Sequence, residues 1–422
     1  MRYSASALLT FASFVVAWSP RFQQLEPRQA SSAISASAFR RRGFQSTVVL
    51  NGYAYIDGGE FSYETGSEIT YQYSSTLIAI DLSKDWVNSS VMLNSISKPA
   101  GAPDLVQGGV WVDQDAGILY NGFAGRGSAF GDNAFQPHGL WSFKPDGNGG
   151  GSWSNLNSTD QNFTTAIRPF ESLVASGGGA GYVLGGLYES QNVSGLVSFN
   201  FTTGQFTNAT VNDGFTNGIV EEGGLVFVPN FGRDGILVRV GGNQQGKISP
   251  GADYLLNLST ISIYDVASGN WYNQAASGNI PENRKEFCNA GIASTNDTFE
   301  ILVYAGWNGN LGASSVPYDE AYVLTLPAFQ WFKAAYPAAN PRHGLTCVPV
   351  GGGQILTVGG LDTTQNGPDN LYDDVFNTPD PFEQGLAIFD MNQMAFAPSY
   401  AANAPSYTGA TVVKNYYASR YV

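Results

Sequence analysis

At 422 residues, with 51 glycines, 13% aromatic and only 13% charged side chains, the chain has the composition of a turn-rich, strand-rich fold. Its formal net charge of −14 argues against a nucleic-acid partner, which needs clustered Lys and Arg to displace counterions from phosphates. The acidity reads as a device for solubility.

In chain order, the first element is "MRYSASALLTFASFVVAWS", one Arg ahead of an apolar run and then small or polar residues. That is the layout of a secretory signal peptide, assigned here to residues 1–19, with residues 20–38 as an N-terminal extension. The apolar run is shorter than the roughly 20 residues that cross a bilayer, and no later segment reaches that length. The expectation is a soluble mature protein without a transmembrane segment, secreted and extracellular or cell-wall associated. Asn-x-Ser/Thr sequons at Asn88, Asn157, Asn162, Asn192, Asn200, Asn208, Asn257 and Asn296 suit a glycoprotein of that pathway.

From residue 39 a phrase repeats. Strand-forming residues close on glycine in "YAYIDGG" ending at Gly59, "YVLGG" at Gly186, "ILVRVGG" at Gly242 and "ILTVGG" at Gly360, with weaker copies "ILYNG" at Gly122 and "ILVYAG" at Gly306. Paired glycines cost backbone entropy and bring no side chain to pack, so the fold must need them. The intervals between the final glycines are 63, 64, 56, 64 and 54 residues, the spacing of propeller blades.

Each phrase is followed by an alternating strand, a turn and an aromatic residue: Trp86, Trp153, Phe206, Trp271, Trp331 or Phe396. A further apolar strand precedes each glycine phrase, giving four antiparallel strands per unit. Four strands cannot bury both faces alone, but six such sheets in a ring can cover one another. The prediction is an all-β, six-bladed β-propeller over residues 39–396, with the aromatics as core between blades. Residues 397–422, rich in Ala, Ser and Pro, form a tail that wraps the edge or stays mobile. The terminus that closes the ring is left open.

The strand, double-glycine, hairpin and Trp pattern resembles the kelch repeat, and "FRRRGFQSTVVLNGYAYIDGGE" with "GLAIFDMNQMAF" resembles the secreted or surface-anchored kelch proteins of filamentous fungi. The resemblance implies a kelch-type propeller without cofactor, a monomer that binds an extracellular protein or a cell-wall glycan through its loop face. An alternative within the same superfamily is an extracellular copper-radical oxidoreductase of galactose-oxidase type. Its copper is held by two Tyr and two His, one Tyr being linked to a Cys. That reading requires both His of this chain, His138 and His343, as ligands. Asp362, Asp369, Asp373, Asp374, Asp380 and Glu383 form an acidic loop that reads as solvated rather than as a calcium site. No metal site is predicted.

Cys288 and Cys347, the two cysteines, fall on the inner strands of the fifth and sixth units, where strands converge. Secretion favours a disulfide between them, with two buried free thiols as the alternative. The segments leading into the inner strands carry Arg42, Arg168, Arg284 and Arg342, and Asp104 and Glu221 take roughly the equivalent places. Four guanidinium forks around a concave mouth would hold a carboxylate or a polar sugar, with Glu60, Tyr188, Gln244, Trp307 and Asp362 completing the wall. The competing expectation is that the arginines tie neighbouring blades together.

Overall fold

The computed structural model describes residues 34–131, 139–156, 158–244, 254–310, 318–364, 366, 370 and 372–420. The signal segment 1–19, most of the 20–38 extension, His138, Asn157 and Asp369 lie outside the described residues. The chain is all-β and builds antiparallel sheets, six of which, with four strands or more, follow one another in chain order. The first sheet takes Ser46–Leu50, Tyr53–Asp57, Thr76–Asp81 and Asn94–Ser97, and the second Val106–Asp113, Ile118–Arg126, Trp141–Pro145 and Gly151–Asn155. The third takes Leu173–Gly177, Ala180–Leu184, Leu196–Asn200 and Phe206–Ala209. The fourth takes Gly224–Val228, Ile236–Val240, Thr260–Asp265 and Asn270–Ala275. The fifth takes Cys288–Ala293, Phe299–Tyr304, Ala321–Leu326 and Gln330–Lys333, and gains Ser277–Gly278 as a parallel outer strand. The sixth takes Thr346–Gly351, Gln354–Val358, Leu386–Asp390 and Ala395–Ala397.

The second strands Ala180–Leu184, Ile236–Val240 and Gln354–Val358 are buried at every residue, as expected for strands covered on both faces. The outer strands Gly151–Asn155 and Asn270–Ala275 are mostly exposed and polar. The core is divided among the interfaces between neighbouring sheets. One apolar cluster joins the fourth and fifth sheets around Trp331, whose indole Nε1 donates to Leu258 O at 3.0 Å, and another joins the second and third around Trp111, Phe199 and Phe206. A third joins the sixth sheet to the first, bringing Val348, Leu356 and Ile388 against Ile56 and Ile78.

A cycle of backbone hydrogen bonds links the lead-in segments of the first strands. Gln107 N donates to Phe44 O, Glu171 N to Gln107 O, Glu222 N to Glu171 O, Glu286 N to Glu222 O, Gly344 N to Glu286 O and Phe44 N to Gly344 O, all at 2.8 to 3.1 Å. These residues share a left-handed backbone, with φ between 52° and 65°, which turns each N–H toward the preceding sheet. Outside this cycle runs a second, from the glycines that end the second strands. Gly59 N, Gly186 N, Gly242 N, Gly306 N and Gly360 N donate to Leu105, Val220, Arg284, Arg342 and Arg42 carbonyls of the next sheet.

In the second sheet the donor is Gly125, bonded to Pro169 O, and not Gly122. The strand pairing there carries register shifts between Val106 and Trp111, which move the repeat three residues along the sequence. The need for glycine has a physical cause at the close approach of the next sheet. A Cβ on Gly58, at φ 66°, would lie 1.9 Å from Leu105 O, so the neighbouring backbone itself fills the space.

Among the described residues neither terminal segment adds a strand to the first or the sixth sheet. The strand Phe39–Gly43 pairs with the hairpin Glu60–Thr65 and Glu68–Tyr73 instead. The tail is docked over residues 397–420. Trp86 and Tyr400 stack at 5.1 Å, Tyr400 OH reaches Leu82 O and Val350 O, and the helix Thr411–Ala418 places Val413, Tyr416 and Tyr417 against the fifth and sixth sheets. Cys288 and Cys347 form a disulfide between the first strands of the fifth and sixth sheets.

Candidate functional site

One end of the assembly gathers the lead-in segments and the loops that follow the glycines. They are joined by repeat-equivalent pairings: Gly43 with Glu60, Val106 with Arg126, Phe170 with Leu187, Glu221 with Asn243, Lys285 with Trp307 and His343 with Leu361. Beneath them opens a cavity of about 830 Å³, lined from all six sheets and including Gln107, Glu171, Glu222 and Glu286 from the inner backbone cycle. The mouth is therefore acidic where three consecutive sheets meet.

These side chains form a belt. His343 Nδ1 bonds Glu286, Glu286 shares a hydrogen bond with Glu222, and Lys285 Nζ lies 2.6 Å from Glu222 Oε2. Glu171 bonds Gln107, whose Oε1 accepts from Arg126 Nε at 2.6 Å. Tyr372, from the long loop of the sixth sheet, donates to Glu60, which also accepts from Ser128 Oγ at 2.6 Å and Ala129 N at 2.7 Å.

Burial and carboxylate neighbours set the protonation of this belt. Burial raises Glu222 well above the ordinary carboxylate range; Lys285 opposes this, while Glu171 and Glu286 add to it. Burial raises Glu171 likewise. Glu221 is pushed up to about 7 by burial and by Glu171, against Lys285 and a 2.7 Å hydrogen bond from Asn243 Nδ2. Glu286 goes the other way: burial opposes its charge, but His343, Glu222 and Lys285 together hold it low. Glu222 is thus driven up and its hydrogen-bonded neighbour Glu286 down.

The arginines do not present open forks. Arg284 is fully buried, donating from Nη1 to Ala305 O at 3.0 Å and from Nε to Glu282 O, with its face 3.9 Å from the Tyr318 ring. Arg342 repeats the arrangement, with Nη1 on Gly359 O, Nη2 on Asp380 Oδ1 at 3.0 Å and Phe382 beneath it. Arg42 lies over Phe61, and burial lowers its pKa to about 10. Arg168 stands one residue before Pro169, the true equivalent, and bonds Phe163 O and Ala166 O. Asp104 and Glu221 are likewise one position out of register, beside Leu105 and Val220. The guanidinium groups of Arg284 and Arg342 tie lead-in to strand end, and the ionisable side chains lining the opening are the carboxylates Glu171, Glu222 and Glu286.

Of the predicted wall, Glu60 is buried within the belt. Trp307 stacks on His343 at 4.8 Å, has Lys285 Nζ 5.2 Å from its ring and donates Nε1 to Asn310 O. Tyr188 is exposed, Gln244 Nε2 reaches Phe215 O, and Asp362 caps Thr364. The sequence reading missed Gln107, Glu171, Glu222, Glu286 and Lys285. Aligning the repeats on the position two residues before the first strand, rather than on arginine, would have placed Glu171, Glu222 and Glu286 in one column, with Lys285 beside it.

The donor set of a copper-radical site is not brought together. Both cysteines are in the disulfide, so neither thiol can be linked to a Tyr, and His343 is paired with Glu286. Among the described residues no group of three or more His, Cys, Asp and Glu is placed to hold a metal ion. In the acidic loop, Asp380 pairs with Arg342 and Asp374 bonds Asn370 and Asn377. Also among the described residues, no helix is long and apolar enough to cross a membrane.

No family model matches the chain. It is similar to a kelch repeat-containing protein of Arthroderma benhamiae, 24% identical over 413 residues, covering 86% of this chain and 57% of that protein. The chain thus spans little more than half the length of that relative. The likeness supports a kelch-repeat relationship, and the antiparallel four-stranded sheets are consistent with a kelch-type propeller.

Proposed function

We propose that the chain is a six-bladed kelch propeller, exported from the cell, that works as a non-enzymatic recognition module for an extracellular protein or a cell-wall glycan. The observation that supports it best is the inner backbone cycle, which fixes the lead-in segments of six sheets around one opening and sets their loops on that rim. A rigid ring carrying variable loops suits recognition, and the ionisable groups below the loops bond one another instead of presenting an activated nucleophile. The similarity to a kelch repeat-containing protein supports an interaction role. The leader-like residues 1–19 support export. Tyr188, Gln244, Trp307 and Asp362 supply contacts at the rim.

The test is retention of labelled culture-fluid proteins, soluble β-glucan and chitin oligosaccharides on the immobilised protein. A Tyr188→Ala, Trp307→Ala variant should lose the retained species at least tenfold. An Asn51→Ala, Gln114→Ala variant, altered at the opposite end of the cavity, should keep them. Equal retention by both variants would refute the mouth as the binding face.

A further inference from the structure

The sequons differ in what surrounds them. Asn192, Asn200 and Asn208 all belong to the third sheet or its Gln191–Asn192 hairpin, and in each triplet both the Asn and the hydroxyl residue, Ser194, Thr202 or Thr210, are exposed. Asn200 accepts through Oδ1 from Thr202 N and Thr203 N, a local turn that does not use its Nδ2. Asn208 stands on the outermost strand, Phe206–Ala209.

The other described sequons are engaged in packing. Asn296 Nδ2 donates to Thr408 O at 2.7 Å where the C-terminal tail crosses the fifth sheet, and its partner Thr298 is buried against Glu300. Asn162 and Thr164 are exposed too, but Asn162 Nδ2 donates to Phe206 O at 2.7 Å and lies along the outer edge of the third sheet. Asn257 accepts from Ser259 Oγ and Thr260 N through Oδ1 and is half-buried. Asn88 is half-buried, with Gln384 Nε2 on its carbonyl at 2.6 Å.

We propose that the outer rim of the third sheet is an N-glycosylated sector, with Asn192, Asn200 and Asn208 as acceptors and Asn88, Asn162, Asn257 and Asn296 bare. The inference rests on the export reading. The donor is an oligosaccharide on a polyprenyl diphosphate. A bond forms between the sugar C1 and the Asn Nδ2, the C1–O bond to the diphosphate breaks, the amide loses a proton and the polyprenyl diphosphate leaves. Transfer meets the chain before it packs, so the tolerated acceptors are those whose sugar projects outward after folding. A glycan on Asn296 would occupy the path of residues 407 and 408 and hold off the tail. Sugar on Asn208 also blocks strand addition at an outer edge, as the extra strand Ser277–Gly278 does for the fifth sheet.

The full chain behind a foreign leader, in a yeast host and in a Thr159→Ala background that removes the Asn157 sequon, tests this. Glycosidase release in heavy-oxygen water should label residues 192, 200 and 208. Ser194→Ala, Thr202→Ala and Thr210→Ala should each remove one mobility step, and the triple variant should run as the deglycosylated chain with an unchanged melting temperature. Label at Asn296 or Asn257 comparable to these three, or absence of label from two of the three, overturns the assignment. Should the native leader fail to export the chain while the foreign-leader protein carries the three labels, the export reading falls and the assignment stands.

Discussion

The junction between the fifth and sixth sheets and that between the sixth and first bury similar apolar faces, yet they are secured differently. The first has a covalent link, Cys288 to Cys347, and the His343–Glu286 pair. At the second the described residues supply no disulfide and no shared strand. Thr47 and Thr346 hydroxyls meet at 2.7 Å, Gln45 Nε2 donates to Val358 O, and Arg41 donates to Thr378, Gly360 and Pro379 carbonyls. The tail then crosses the outside, with Tyr400 bonded to one sheet through Leu82 O and to the other through Val350 O. A ring closed between complete sheets is held at its last junction by side chains and terminal segments, each weaker than a strand ladder but several in number.

Removing the tail should therefore have the largest effect. Ending the chain at Ala397 exposes the faces now covered by Tyr400, Tyr407, Ala410 and Val413, all nearly buried. Burial of such side chains contributes about 1.5–3 kcal/mol for each large one, so a loss of roughly 5–8 kcal/mol is expected. Calorimetry should show a melting point lower by about 6–10 °C; a shift below about 2 °C would mean that the sixth-to-first junction stands without its strap.

The Cys288→Ser, Cys347→Ser variant probes the other junction. Its loop spans 59 residues, for which chain entropy gives about 4 kcal/mol of lost stability, measured as a lower urea midpoint with unchanged slope. Tail removal in that variant should cost no more than in the native chain if the two junctions are independent, and a larger cost would reveal that they open together.

The smallest effect concerns a junction with neither device. Glu221, between the third and fourth sheets, has its native pKa raised from 4.5 to about 7 by burial and by Glu171. Between those values the folded state binds more protons than the unfolded one. Its contribution is fully present below about pH 4.5 and is lost as pH rises through about 7, at most about 1.4 kcal/mol per pH unit. Urea unfolding from pH 4.5 to 7.5 should show this decline in the native chain and a flatter one in Glu221→Gln; identical slopes would assign the pH dependence to other groups.

The repeat was legible because a backbone requirement leaves a mark in composition: glycine at Gly59, Gly186, Gly242 and Gly360 stands where the next sheet's carbonyl approaches. The disulfide was legible because both cysteines fall on the first strands of adjacent sheets. The second sheet was misread by three residues because a bulge adds backbone without changing the look of the strand. The side chains lining the mouth were not the ones the sequence singled out. Arginine draws attention as a binder, but Arg284 and Arg342 follow a residue-by-residue register that turns them inward onto carbonyls, while Glu171, Glu222 and Glu286 occupy the left-handed positions facing the opening. Left-handed conformations at non-glycine residues leave no pattern that hydropathy detects.

Because the six four-stranded sheets follow one another in chain order, the junction without a peptide connection is set by where the chain opens, not by how the sheets pack. Opening the chain in the link between Ala209 and Gly224 would cut no hydrogen-bonded sheet and would transfer the role of final junction to the third and fourth sheets. A permuted chain would keep each of these sheets whole, and the hairpin Glu60–Thr65 and Glu68–Tyr73 would still reach Phe39–Gly43 from within the first.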